Sequence, residues 1–474
     1  MSKIEIIQGG MGVAVSDWKL AQSVSKEGQL GVISGTGIHI IMIARLMEGD
    51  IGGHVRRALS HFPFHDPVQW ILKEYYRENP QKGATYKRPP MWNFTPPKAL
   101  NELTVVANFV ETFLAKEGHK NPVGINLLEK VQMPTMASLY GAMLAGIDYV
   151  IMGAGIPLQI PGILDKLANH EKVSYRMDVK GSTSDDNFLM DFDPKEVFSN
   201  AVTKVQNLFR PNFLPIISSV VLAKTLIRRS TGKVDGFVVE GHTAGGHNAP
   251  PRGKMQLDER GEPIFGEKDT PRLDKIKELG LPFWLAGGYD SPQMLKEAQA
   301  AGAEGVQIGT AFAFCDESGM AENEKRQVIQ KVIDESAEVF TDPRVSPTGY
   351  PFKVVQLEGT MAMPEIYEAR PRLCDIGLLR EAYKKDDGKL GYRCAAEPKD
   401  QYLKKGGKPE DLEGRGCLCN NLCASAGYPQ HRKDGYVEQP LVSSGKGLSS
   451  ISKFFKAGKR SYSAKDVLDY MIAE

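Results

Sequence analysis

Val238-Val239-Glu240-Gly241-His242-Thr243-Ala244-Gly245-Gly246-His247 is the stretch whose reading decides the fold. A short apolar run ends on a carboxylate, and glycines and two histidines follow at once. Continuous apolar runs of this length suit strands covered on both faces. The same pattern recurs along residues 1–340. Candidate strands are Ile4–Gln8, Gly31–Ser34, Pro122–Leu127, Asp148–Gly153, Phe213–Ser218, Asp235–Glu240, Pro282–Gly287 and Gly305–Gly309. Amphipathic stretches such as Met133–Ala145 and Ser291–Ala301 lie between them. Strands alternating with helices imply βαβ units and a parallel sheet.

Eight strands fit either a barrel or an open doubly wound sheet. Glycine or polar clusters follow most of them: GGMG after the first, SGTG, GAG, HTAGGH, AGGY, and GT after the last. In a barrel these C-terminal ends converge on one mouth, where active sites form. The expected fold is therefore α/β, a (β/α)8 TIM barrel over residues 1–345, with a C-terminal extension over 346–474. Two insertions interrupt the rhythm. Residues 50–105 carry HFPFHDP and YKRPPMWNFTPP, aromatics suited to a lid or to a packed core. Residues 172–212 contain an alternating, strand-like run.

Composition narrows the function classes. With 59 basic against 58 acidic residues, the chain has no polybasic surface for nucleic acid. No apolar run reaches the length of a membrane span. The N-terminus lacks a signal-peptide pattern, and six cysteines are too few for a disulfide framework. A cytoplasmic protein is expected, with a small-molecule substrate and its oligomeric state open. Glycine is in excess, 48 of 474 residues, where about 7% is ordinary.

The glycines are where chemistry is expected. Gly287-Gly288 and, twenty residues on, Gln307-Ile308-Gly309-Thr310 end consecutive strands. Glycine lets backbone N–H groups approach a phosphate, and Thr310 adds a hydroxyl. Gly10 and Met11 offer a flat, polarisable surface at the end of the first strand. Gly245 and Gly246 let a flat ligand pass close, and His247 can exchange a proton near neutrality. His242 is the weaker candidate. Asn126 ends an apolar strand as either a ligand contact or a turn residue. Cys417-x-Cys419-x3-Cys423, with Cys394 and Cys374 upstream, lacks a recognisable metal spacing. Structural thiols are the favoured reading, and no residue is assigned to a metal.

QGGM, GIN, EGHTAGGH, AGGY and VQIGT, in that order, resemble the nitronate monooxygenase (2-nitropropane dioxygenase) family, which includes flavin-dependent enoyl-acyl-carrier-protein reductases. The resemblance spans about residues 4–315. It implies an FMN-binding barrel, with Gly287, Gly288, Gly309 and Thr310 on the phosphate. It places Gly10, Met11, Asn126, Glu240, Gly245, Gly246 and Gln307 near the flavin, and it makes His247 the catalytic histidine, which either removes the α-proton of a nitroalkane or holds the anionic nitronate. Glu240 stands where the family usually has Gln, and Thr243 where it has Glu. A carboxylate beside a flavin disfavours the anionic reduced form. The resemblance implies a monooxygenase acting on a nitronate with O2. An NAD(P)H-dependent enoyl-thioester reductase is the alternative, and a flavin-free scaffold a third. The phosphate loops alone would also suit a barrel acting on phosphorylated sugars.

Overall fold

The computed structural model describes residues 3–81, 83–456 and 460–473. Eight strands occupy the eight expected places. They are β1 (Ile6–Gln8), β2 (Gly31–Ser34), β3 (Val123–Leu128), β4 (Tyr149–Gly153), β5 (Asn212–Ile217), β6 (Phe237–Glu240), β7 (Phe283–Ala286) and β8 (Gly305–Ile308). They run in the order β1-β8-β7-β6-β5-β4-β3-β2, every pair parallel. The two ends of this order meet. Gln8 N donates to Leu30 O at 2.9 Å, and Leu30 N donates to Ile6 O at 3.1 Å. Side chain and backbone seal the seam together, since Gln8 Oε1 accepts from Val32 N at 2.9 Å. The sheet is a closed barrel, which removes both edges.

Side chains fill the barrel below the mouth. Ile7, Leu30, Val32, Ile151, Leu214, Val238, Trp284 and Ala286 form its inner core. Helices cover the outside, the longest being Lys98–Lys116 between β2 and β3. It packs closely on Thr135–Leu144, and a Cβ at Gly141 would come 2.1 Å from Val105 O. The backbones touch there, so only glycine fits.

The 50–105 stretch is not a lid. Its helices His54–Leu59 and His65–Tyr75 pack on the outer face of Lys98–Lys116. Phe62 meets Phe109 edge-on at 5.0 Å, and Trp70 Nε1 donates to Glu102 at 2.8 Å. No described residue of the stretch lines the cavity at the mouth. Phe62 covers an apolar helix face, and Phe94 meets Tyr392 of the tail edge-on at 6.1 Å. Residues 172–212 hold an antiparallel ribbon, Val173–Arg176 with Leu189–Phe192.

Residues 346–456 and 460–473 wrap the barrel. Phe352–Val355 pairs antiparallel with Val339–Asp342. The hairpin Glu381–Lys384/Leu390–Arg393 takes up Val179–Lys180 of the second insertion as a third strand. Helix Leu418–Ser425 lies at the mouth, and the final helix Ala464–Ile472 packs on Trp18–Lys26. Among the described residues no helix is long and apolar enough to cross a membrane.

The helix crossing gives a test. Gly141→Ala should lower the unfolding free energy by about 1–3 kcal/mol, as overpacking does. Gly266→Ala, where an added Cβ meets nothing within 4 Å, should change it by less than about 0.5 kcal/mol. Denaturant titration of both variants measures the difference.

Candidate active site at the barrel mouth

Closing the sheet brings the strand C-termini around a cavity of about 280 Å³. Each of the twelve residues singled out in the sequence lines it: Gly10, Met11, Asn126, Glu240, Gly245, Gly246, His247, Gly287, Gly288, Gln307, Gly309 and Thr310. His242 does not. Its ring stacks on Phe265 at 4.7 Å, away from the mouth.

One side of the cavity is flat backbone. A Cβ at Gly10 would fall 2.4 Å from Asn126 Cβ, so Asn126 occupies the space a side chain would need. Asn126 Nδ2 donates to Gly10 O at 2.9 Å. Its Oδ1 has no partner, and neither has Gln307 Oε1. Both are buried acceptors on the cavity wall. Buried polar atoms are rarely left unpaired, and each such vacancy calls for an explanation. Two in one cavity fit a ligand that carries N–H donors.

The other side is a glycine cradle. Gly287 and Gly288 have φ of +102° and +89°, backbone that side chains with a Cβ rarely adopt. Thr243 Oγ1 donates to Gly287 O at 2.9 Å and holds the turn. The residue standing in place of the family's usual Glu is thus a positioning group for the cradle. Across the gap, Thr310 Oγ1 accepts from Gly445 N at 3.0 Å. Gly246 N donates to Ser443 Oγ at 3.1 Å. The Ser443-Ser444-Gly445 loop of the tail therefore ties the β6 and β8 loops together. The sequence reading missed this loop, whose small-residue run was its only signal.

His247 is half-buried beside tail residues. Its Nε2 lies 2.7 Å from Ser346 Oγ, which lies 2.8 Å from Thr348 Oγ1. Its ring meets Phe352 edge-on at 4.8 Å. Burial pushes its pKa down to about 4. Burial also pushes Glu240 up to about 7, an effect that the nearby Lys353 ammonium opposes. Lys353 is itself wholly buried and, desolvated, is pushed down to about 7. Its Nζ donates to His242 O at 2.6 Å and to Asn248 Oδ1. The sequence reading missed Lys353 too, although a lysine inside the apolar run Phe352-Lys353-Val354-Val355 was a signal. The carboxylate expected at position 240 is thus partly neutralised, both by its own proton and by Lys353.

The histidine sets a pH dependence. Its folded pKa lies below the ordinary 6.5, so the fold favours the neutral ring. That contribution is complete above pH 6.5 and is lost as pH falls through about 4. Between those values wild-type protein should lose about 2–3 kcal/mol more than His247→Phe, one pKa unit being worth about 1.4 kcal/mol. Denaturant titrations of both proteins across this range check it.

Comparison with known proteins agrees with the glycine pattern. Residues 193–345 match the profile of the family described as nitronate monooxygenase. A probable nitronate monooxygenase of Staphylococcus saprophyticus is 27% identical over 180 residues, 38% of this chain and 48% of that protein. A (3aS,4S,5R,7aS)-5-hydroxy-7a-methyl-1-oxo-octahydro-1H-indene-4-carboxyl-CoA dehydrogenase of Mycobacterium tuberculosis is 28% identical over 119 residues, 25% of this chain and 30% of the relative. The matched stretches thus span less than half of each relative. FabK from Thermotoga maritima superposes with a TM-score of 0.48 at 15% identity, covering 99% of this chain and 92% of that one. The stretch that matches the nitronate monooxygenase profile, residues 193–345, supplies β5 to β8 and both glycine turns of the cradle.

Proposed function

We propose that the mouth binds FMN and that the protein is an oxidoreductase oxidising a nitronate with O2. The observation that carries this reading is the pair of buried, unpartnered oxygens, Asn126 Oδ1 and Gln307 Oε1, on residues that line the same cavity as the glycine turns. A flavin ring presents N–H edges to such acceptors. A phosphate suits Gly287, Gly288, Gly309 and Thr310, where backbone N–H groups can gather on an anion. The residues present therefore fit the group. FMN bound there would supply the redox chemistry, and the protein would supply orientation and electrostatics.

His247 has a particular part in this reading. With a pKa near 4, it is neutral at pH 7 and a weak base. A weak base is poorly matched to taking a proton from a nitroalkane. A neutral imidazole anchored by Ser346 can instead orient a nitronate that arrives already ionised. Glu240, beside it on the wall, holds back its own negative charge and so repels such an anion less than an ordinary carboxylate would.

A second reading, an NAD(P)H-dependent enoyl-thioester reductase, draws on the wall made by the tail. Leu378, Leu379, Leu418, Leu422 and Leu441 line one side of the cavity and suit an alkyl chain. Against it, His247 carries almost no proton at pH 7 to give to an α-carbon.

The absorbance spectrum of the purified protein tests both readings. FMN released on denaturation is expected, with anaerobic bleaching by a nitronate. Bleaching by NADPH instead would favour the reductase. A colourless protein that takes up no added FMN would overturn both and revive a flavin-free role. His247→Ala should keep FMN and lower turnover by about 10–100-fold, the loss of one hydrogen bond of about 1.5–3 kcal/mol to a charged ligand. Asn126→Ala with Gln307→Ala should weaken FMN binding by roughly 10–100-fold, two hydrogen bonds of about 0.5–1.5 kcal/mol each.

A further inference from the structure

The tail gathers four thiols that the mouth does not use. Cys374, Cys394, Cys417 and Cys419 line one small cavity. They come from three separate stretches of chain: the one before the hairpin Glu381–Lys384/Leu390–Arg393, the end of that hairpin, and the start of helix Leu418–Ser425. Cys423, one turn further along the helix, lies outside this cavity and packs into the main core. The C-x-C-x3-C run is therefore divided: its first two cysteines join Cys374 and Cys394, and its third is an apolar filler. Cys315 also packs into the main core, on the barrel side.

Four of the chain's six cysteines meet in this one cavity. Cys394, Ala396 and Cys417 form a small cluster with Cys419 packed against it, and Leu373, Ile376, Leu379 and Leu418 complete the lining. The surrounding chain is mostly irregular, with short strands and helices to order it. Cross-linking through a metal is the usual way such small, loop-rich units are held.

We propose that Cys374, Cys394, Cys417 and Cys419 are the four thiolate ligands of a metal centre, a zinc ion or an iron–sulfur cluster. The shared chemistry is soft thiolate coordination. As placed here the thiols ring the cavity. Among the described residues no group of three His, Cys, Asp or Glu side chains is placed to hold a metal ion, so loading would have to draw the three stretches together. For zinc, four S–H protons are exchanged for zinc–sulfur bonds with no change of oxidation state; an iron–sulfur cluster would arrive preassembled with its sulfide and exchange its carrier's ligands for the same four thiolates. Asn420 Nδ2 donates to Cys417 Sγ at 3.6 Å.

The position matters as much as the chemistry. Leu379, Leu418 and Cys419 line this cavity and also the one at the barrel mouth. The centre would thus fix the wall that the tail contributes to the active site. The inference does not rest on flavin being bound, and its test is separate.

Full-length protein purified without oxygen or chelator, from cells supplied with zinc and iron, is analysed for metals and acid-labile sulfide. About one zinc per chain is expected, or iron with an equal amount of sulfide, and the two results tell the sources apart. Cys394→Ser and Cys417→Ser should lose this metal, and Cys423→Ser should keep it. If those variants fail to fold, mercurial titration of the wild-type protein answers the same question: metal should leave in step with four thiols. Metal below about a tenth of an equivalent, unchanged metal in Cys417→Ser, or metal release unrelated to thiol modification would each overturn the proposal.

Discussion

Everything at the mouth depends on the hydrogen bonds that close β1 upon β2. Gln8 and Leu30 make that seam. Without it, eight parallel strands would lie in an open row and their glycine turns would be spread along an edge. With it, the turn after β1 faces those after β3, β6, β7 and β8 across a few ångströms of cavity. The Gln8 side chain reinforces the point. It is fully buried and spends its acceptor on Val32 N and its donor on Ser16 Oγ at 2.8 Å. Ser16 Oγ in turn accepts from Met11 N at 3.0 Å. One glutamine thus fixes both the seam and the first loop of the site.

The barrel alone does not finish the cavity. Its mouth opens on one side, and the tail fills that side with Ser346, Phe352, Leu378, Leu379, helix Leu418–Ser425 and the Ser443–Gly445 loop. Close fit explains why small residues meet here. A Cβ at Gly245 would come 2.8 Å from Gly445 N, so the β6 turn and the tail loop can approach only as glycine on glycine. The tail also buries His247, and this burial, more than any neighbouring charge, lowers the histidine's pKa.

The barrel was legible in the sequence because its signals are local. An apolar run followed by glycine marks both a strand and the end on which it opens, and eight such marks need no long-range information. Asn126 and Gln307 were legible for the same reason, as polar side chains where apolar strands end. What local pattern does not carry is which distant segment packs on which. FPFHDP and RPPMWNFTPP read equally well as a lid or as a covering for Lys98–Lys116, since aromatics serve both. Lys353 and Ser346 lie about a hundred residues from the histidine loop, and backbone bonds made directly to that loop, Lys353 N to Gly246 O and Asn248 N to Pro351 O, bring them to it. The cysteines were counted correctly but grouped by spacing. Space groups them otherwise, with Cys423 replaced by Cys374.

The electrostatics of the mouth follow from this assembly. Burial pushes Glu240 and Lys353 in opposite directions until both stand near 7. Lys353 Nζ spends its hydrogen bonds on His242 O and Asn248 Oδ1, not on the Glu240 carboxylate. The lysine therefore acts on Glu240 through its field alone, opposing the burial that raises the carboxyl. Removing the lysine would leave that carboxyl to face burial unopposed, in a medium that penalises charge. The end of β6 and a strand of the tail thus set one local electrostatic balance, from parts of the chain that only the folded barrel brings together.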